Sequence, residues 1–304
     1  MPLGEITAAA AGTWTLGDRT VSRMGFGSMR LTADPDRERA IRVLRTAIEL
    51  GVNHVDTATF YVSPGGTLGV GTGLPRYATD LIREALAPYP DDLVITTKVG
   101  FAANQANGVS EVCTPEDLRS QVEENLRRLG RDHLDVVNLR IVKRPSRDSV
   151  AERFGALADM RAAGLIRHLG LSNVRADHID EAATIAPVVC VQNNYALDNN
   201  RTDDALLHAC GERGIAYVPF FALAGANREK GATSDHSEAI RAVAQAHGVS
   251  EHQVRLAWTL HQGPHVLAIP GTGDPDHLVQ NVAAGALRLT DEELAVLDGT
   301  TPPS

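Results

Sequence analysis

Short apolar runs of strand length alternate with stretches of helical period along almost the whole of this chain. Runs at 24–29, 52–56, 93–98, 134–140, 166–172, 188–192, 216–220 and 266–270 are apolar without the polar alternation of a half-exposed sheet, so they read as buried parallel strands. Helical patterns separate them at 36–50, 76–87, 115–129, 149–163, 176–185, 202–213, in two pieces across 237–261, and at 275–284. Gly51, Gly130, Gly164, Gly214 and Gly263 stand where helices stop before the next apolar run. With 304 residues and no composition break, the pattern predicts one domain, 1–304, folded as a single (β/α)8 TIM barrel. An N-terminal β-hairpin (13–16 with 20–22) precedes the first strand. A C-terminal outer helix, 291–297, follows the N-cap Thr290 with Glu293 at capping-box spacing.

The bulk composition narrows the partners. A net charge of -9 argues against nucleic acid or an anionic membrane surface. No apolar run approaches membrane-spanning length, and the first residues lack a basic stretch followed by an apolar one. Cys113, Cys190 and Cys210 are widely spaced and odd in number, which fits a reducing cytoplasm. No His-x-His ends a strand and the acidic residues do not cluster, so no metal is expected. His54 shares a strand face with Asp56 and is read as a core residue, while the histidines on helices carry no ligand spacing.

Barrel enzymes carry their chemistry at the carboxyl ends of the strands. Three such ends here carry Asp56, Lys98 and Arg140, and Tyr61 follows Asp56 by five residues. A carbonyl that accepts hydride develops negative charge on oxygen and needs a proton donor and fixed positive charge. A phenol titrates near 10, and an ammonium beside it would lower that value. Tyr61 is therefore the candidate donor, Lys98 its activator, and Asp56 the counter-charge that a buried ammonium requires. Arginine stays protonated, so Arg140 can orient or clamp an anionic oxygen but cannot serve as acid or base. Glycine-rich stretches at 62–74 and 223–234 are too rich in glycine for helix or strand, and read as loops over this pocket.

Along nearly the whole chain, an ordered set of segments resembles the aldo-keto reductase superfamily: Gly25-Phe26-Gly27, Gly51 to Ala58 with Tyr61, Thr97-Lys98, Leu126 to Gly130 before Leu134-Asp135-Val136-Val137, Gly170 to Asn173, Val191-Gln192-Asn193, and Ile269 to Thr272 with Asn281. Asn138-Leu139-Arg140 and Tyr217-Val218-Pro219-Phe220-Phe221 look most like its pyridoxal reductase branch. The resemblance implies the catalytic set Asp56, Tyr61, Lys98 and Arg140, where most relatives have histidine in place of the arginine. It implies NADPH as cofactor and a small carbonyl substrate. The cofactor would lie against Gly27, Ser28, Met29 and Asp56. Ser172, Asn173 and Gln192 would take the nicotinamide carboxamide, whose donors and acceptor suit neutral amide and hydroxyl groups. Phe220 would stack on the ring, with Phe221 and Leu223 beside it, and Tyr217 would be strand core. Pro270, Gly271, Thr272 and Gly273 lead into a helix whose N-terminal amides would hold an adenosine phosphate, with His277, Gln280 and Asn281 alongside.

Gly271 and His277 fall where relatives often carry lysine and arginine, and Asp274 adds a negative charge, so NADH stays as the alternative cofactor. The reading is a cytoplasmic aldo-keto reductase that reduces an aldehyde or ketone to an alcohol, with pyridoxal to pyridoxine as the specific reaction. A ketoreductase of sugars or secondary metabolites, a lysine Schiff-base lyase, and an NADP(H)-binding regulatory subunit are the alternatives. Oligomeric state is not set by these residues.

Overall fold

The structure, a computed structural model, describes residues 6–66, 72–104, 108–111, 114–142, 148–198, 201–223, 232 and 235–299. Seven strands pair in parallel in the order Phe26–Gly27, His54–Asp56, Val94–Val99, Leu134–Arg140, Ile166–Ser172, Val188–Gln192 and Ala216–Tyr217. Helices connect most of these neighbours, among them Arg37–Glu49, Pro115–Leu129, Ala151–Ala162 and Ala176–Ala183, giving a TIM-barrel-like α/β fold. Three of the strands expected from sequence match to the residue and the one expected at 93–98 is shifted by one to Val94–Val99; others are shorter, and the run at 216–220 keeps only Ala216–Tyr217.

At 266–270 the expected strand is replaced by isolated parallel bridges, Tyr217 to Val266 and Met24 to Ala268. Leu267 N donates to Tyr217 O at 2.9 Å, and Gly25 N donates to Ala268 O at 2.8 Å. The two edges meet too closely for side chains. A Cβ on Gly27 would lie 2.6 Å from Ile269 O, and one on Gly271 would lie 2.5 Å from Gly27 O. The first strand is correspondingly short, because the chain turns at Met29–Thr32 directly after it.

The hairpin forms as expected, Thr13–Leu16 against Arg19–Ser22. Its Leu16 and Val21 are buried with Val94, Val136, Ala216, Val218 and Leu267, and these make an apolar floor inside the sheet. A larger cluster that includes Leu44, Ile82, Leu118, Phe154 and Trp258 packs the helices on the outside. Thr290 and Glu293 cap the last helix, Asp291–Asp298, reciprocally, and Trp258 Nε1 donates to Asp298 Oδ1 at 2.9 Å. No helix among the described residues is long and apolar enough to cross a membrane.

Two antiparallel ribbons depart from the sequence reading. Val62–Ser63 pairs with Arg76–Tyr77, so the glycine-rich stretch begins and ends in a short ladder; the helix expected at 76–87 starts only at Ala78. Residues 67–71 and most of 223–234 lie outside the described residues. The second ribbon, Phe101–Asn104 with Gly108–Glu111, carries no alternating apolar pattern that could announce it.

The period of two decides what the interior contains. Above the floor, His54 Nε2 meets Thr96 Oγ1 at 3.2 Å, and Cys190 Sγ donates to Asn138 Oδ1 at 3.2 Å. A Cβ on Gly170 would collide with Asn138 Oδ1, so this glycine makes room for the asparagine. One further step along the same strands reaches Asp56, Lys98, Arg140, Ser172 and Gln192. An apolar floor, a polar middle and a charged rim thus follow from alternation alone.

Candidate active site

At the rim, Lys98 Nζ donates to both carboxylate oxygens of Asp56 at 2.7 Å and to Thr57 O at 3.1 Å. Both side chains are buried, at 4% and 3% exposure, where an unpaired charge would be expensive. Burial acts to lower the lysine pKa, but Asp56 and Tyr61 outweigh it and hold the ammonium above its ordinary value. A lysine so firmly protonated is a poor amine nucleophile, which argues against Schiff-base chemistry.

Lys98 Nζ also lies 4.8 Å from the centroid of the Tyr61 ring. The ring is fixed by an edge-on contact with Phe60 at 5.3 Å, and Phe60 packs on Phe101 at 4.5 Å. The expectation that Lys98 brings the phenol below its free value is corrected here. Burial pushes the Tyr61 phenol up, Lys98 and Arg140 pull it down, Asp56 adds to the rise, and the net direction is upward.

Arg140 and Ser172 are register partners on adjacent strands, and Arg140 Nη1 donates to Ser172 Oγ at 3.0 Å. The guanidinium carbon stands 4.7 Å over the Phe220 ring. Phe220 is held by its own N–H to Asn193 O at 3.0 Å and by an edge contact with Phe221 at 5.0 Å. Asn173 and Phe221 both have left-handed backbone, φ 62° and 64°, a conformation that non-glycine residues keep only where the surroundings impose it.

Sequence reasoning missed one contact inside this group. Gln192 Nε2 donates to Asp56 Oδ1 at 2.8 Å. The signal was available: Gln192 and Asp56 both end parallel strands with their side chains on the inner parity. Gln192 Oε1 is buried and without a partner among the described residues, as are Ser28 Oγ and Thr57 Oγ1. Ser28 N donates to Asp56 O at 3.0 Å, which places the Gly27-Ser28-Met29 turn against the ion pair. Asn173 Nδ2 is spent on Ile141 O at 2.8 Å. Tyr217 is fully buried core, as expected.

The far end of the expected cofactor site is built differently from the expectation. Asp274 Oδ1 accepts from the N–H groups of Asp276 and His277 at 2.9 and 3.2 Å, so the helix Pro275–Ala283 is capped by its own chain rather than presenting free amides. Asp274 also pairs with Arg39 at 2.5 Å and donates its own N–H to Thr272 Oγ1 at 3.0 Å. Arg39 was not singled out from sequence, because nothing in a surface helix marks one arginine among many. His277 and Gln280 are exposed, Asn281 and Pro270 are buried, and Gly271, Gly273, Leu223 and Met29 lie at or near the surface.

A buried Asp–Lys pair beneath a tyrosine at strand ends of a parallel α/β sheet defines a class of barrel oxidoreductase, and the chain belongs to the aldo/keto reductase family, whose model matches residues 23–301. It is 42% identical over 300 residues to pyridoxine 4-dehydrogenase of Escherichia coli strain K12, covering 95% of this chain and 98% of that one. An uncharacterised oxidoreductase of Schizosaccharomyces pombe is 38% identical over 301 residues, covering 96% and 91%. Among solved structures, an aldo/keto reductase from Klebsiella pneumoniae in complex with NADP and acetate matches with a TM-score of 0.76 at 27% identity over 96% of each chain.

Proposed function

We propose that this chain is an NADPH-dependent carbonyl reductase and that pyridoxal, reduced to pyridoxine, is its specific substrate. The observation that carries the reading is the buried Asp56–Lys98 pair with its ammonium 4.8 Å from the Tyr61 ring. The substrate is supported by the E. coli relative, named for the reverse chemistry on the same vitamin couple.

When bound, the reduced nicotinamide supplies the hydride. Tyr61 gives its hydroxyl proton to the carbonyl oxygen, and Lys98, held by Asp56, stabilises the phenolate left behind. Because its pKa is raised, Tyr61 keeps that proton throughout the neutral range, which suits reduction more than alcohol oxidation. Arg140 supplies permanent positive charge beside the same oxygen, or against a ring phenolate next to an aldehyde.

The orphaned Gln192 Oε1 and Ser28 Oγ fit a carboxamide, and the likeness to the family assigns Ser172, Asn173, Phe220, Phe221 and Leu223 to the same nicotinamide end. Gly27, Ser28 and Met29 on one side and Pro270 to Gly273 on the other would flank the rest, with His277, Gln280 and Asn281 toward the adenosine. We read 1–304 as one domain whose segment 266–270 acts as the eighth strand, supported by the two bridges to it. A cytoplasmic site suits the buried free thiols of Cys190 and Cys210, both pushed up to about 12 by burial.

The test is NADPH oxidation with pyridoxal, aromatic aldehydes and sugar ketones, with Tyr61→Phe as control. Turnover fastest with pyridoxal and abolished in the control is expected. Faster turnover with sugar ketones would shift the assignment to a ketoreductase, and tight NADPH binding with no turnover would leave a regulatory subunit.

A further inference from the structure

Gln192 stands at the end of an inner strand and is fully buried. Its Nε2 donates to Asp56 Oδ1 at 2.8 Å, the oxygen that also receives Lys98 Nζ at 2.7 Å. An ionised carboxylate only accepts, so the amide must present its N–H side to Asp56 and its carbonyl away from it. That carbonyl oxygen is the one without a partner among the described residues. The amide is therefore satisfied at one end only, and that end is the counter-charge of the proton-donating pair.

We propose that Gln192 is a positioning residue that shares Asp56 with Lys98 and thereby couples a donor arriving at its Oε1 to the Lys98–Tyr61 contact. The inference rests on the reading of Tyr61 as proton donor. A hydrogen bond accepted at Oε1 polarises the amide and strengthens its N–H donation to Asp56. Asp56 then holds Lys98 less tightly, and more of the ammonium's charge is directed at the Tyr61 oxygen. Occupation of the carboxamide position thus prepares the phenol to release its proton.

The charged groups that bear on the Tyr61 phenol are Lys98, Asp56 and Arg140. Asp56 raises its pKa, and the Gln192 N–H offsets part of that anionic field. Removing the amide should therefore raise the phenol further. Gln192→Met keeps the length and apolar volume but deletes both polar atoms, while Gln192→Asn retains an amide too short to reach Asp56.

The decisive measurement is the titration of Tyr61 in the apo protein labelled with 13C at tyrosine Cζ, assigned by Tyr61→Phe and restricted to the pH range in which circular dichroism is unchanged. We expect the onset of titration to move to higher pH in both Gln192 variants, and to move lower in wild type on adding NADP+. An unchanged Tyr61 titration in both variants, with only weaker NADPH binding, would make Gln192 a cofactor contact and overturn the coupling. If wild type oxidises no NADPH with any carbonyl, the reductase reading fails instead, and the apo titration still decides whether Gln192 acts on Tyr61.

Discussion

Arg140 holds its guanidinium carbon 4.7 Å above the Phe220 ring while Nη1 donates to Ser172 Oγ at 3.0 Å. The planar cation is thus oriented by two partners before any substrate arrives. Lysine could not reproduce both contacts, having neither the fork nor the flat face. Arg140→Lys should lower kcat/KM for pyridoxal by roughly 10- to 100-fold, the worth of a charge-assisted hydrogen bond. The loss should be smaller for benzaldehyde, which has no ring hydroxyl. Steady-state rates with both aldehydes test this; equal activity of the variant would remove the geometric role. Arg140→His should raise activity on simple aldehydes if acid duty is what the arginine lacks.

The raised phenol of Tyr61 fixes the sign of the pH dependence. Reduction needs the protonated form, so its single-turnover rate should stay level through neutral pH and fall only above about 10. Alcohol oxidation needs the phenolate and should rise across that same alkaline range. Arg140→Gln removes a charge that lowers the phenol, so both limbs should move to higher pH. Stopped-flow rates in the two directions, taken against pH, provide the check.

Breaking the buried pair should cost more than deleting it. Lys98→Met leaves Asp56 buried opposite no cation, and about 3–5 kcal/mol of stability should be lost. Asp56→Leu combined with Lys98→Met should recover much of that loss while remaining inactive. Urea unfolding of the single and double variants measures both, and a double variant less stable than either single one would refute the argument.

His54 is fully buried, and desolvation lowers its pKa to about 4 from 6.5. The folded value lies below the unfolded one, so the unfolded chain takes up a proton first as pH falls. Stability from this group is full above about pH 6.5 and is lost progressively down to about 4, a span worth roughly 3 kcal/mol. His54→Leu should flatten the acid limb of stability over that window. Comparing the urea midpoints of wild type and variant at several pH values decides it, and parallel curves would show that His54 carries no such linkage.

Asp274 occupies two helix amides and pairs with Arg39. Asp274→Asn keeps the cap and removes the charge. The NADPH-to-NADH ratio of kcat/KM should rise about two- to fivefold, the usual worth of one charge at an exposed helix terminus. An unchanged ratio would place the adenosine phosphate elsewhere.

Much of this molecule was legible in its sequence because alternation and helix stops carry the architecture. Leu134–Arg140, Ile166–Ser172 and Val188–Gln192 appear with the expected ends, Asp56 and Lys98 meet because each strand end has one inner parity, and the short loop after Asp56 brings Tyr61 to them. What escaped depended on contacts between distant segments. The ribbon at 101–111 forms by pairing that no apolar pattern records. The bond from Gln192 to Asp56 spans 136 residues of sequence, and Arg39 reaches Asp274 across 235. The rise in the Tyr61 pKa was missed for a different reason: the lysine could be seen in the sequence, whereas the extent of burial could not.

The seam between Gly27 and Gly271 has a consequence for how the protein comes into being. Gly25 N reaches Ala268 O, and Gly27 N reaches Pro270 O at 3.3 Å, so the first strand and the segment before the helix Pro275–Ala283 are joined backbone to backbone. These are the two segments proposed to flank the cofactor. Contacts of such sequence separation form late and slowly. The contacts of residues 268–270 with the start of the chain are backbone hydrogen bonds between segments about 240 residues apart, so this closure waits until nearly the whole chain is available.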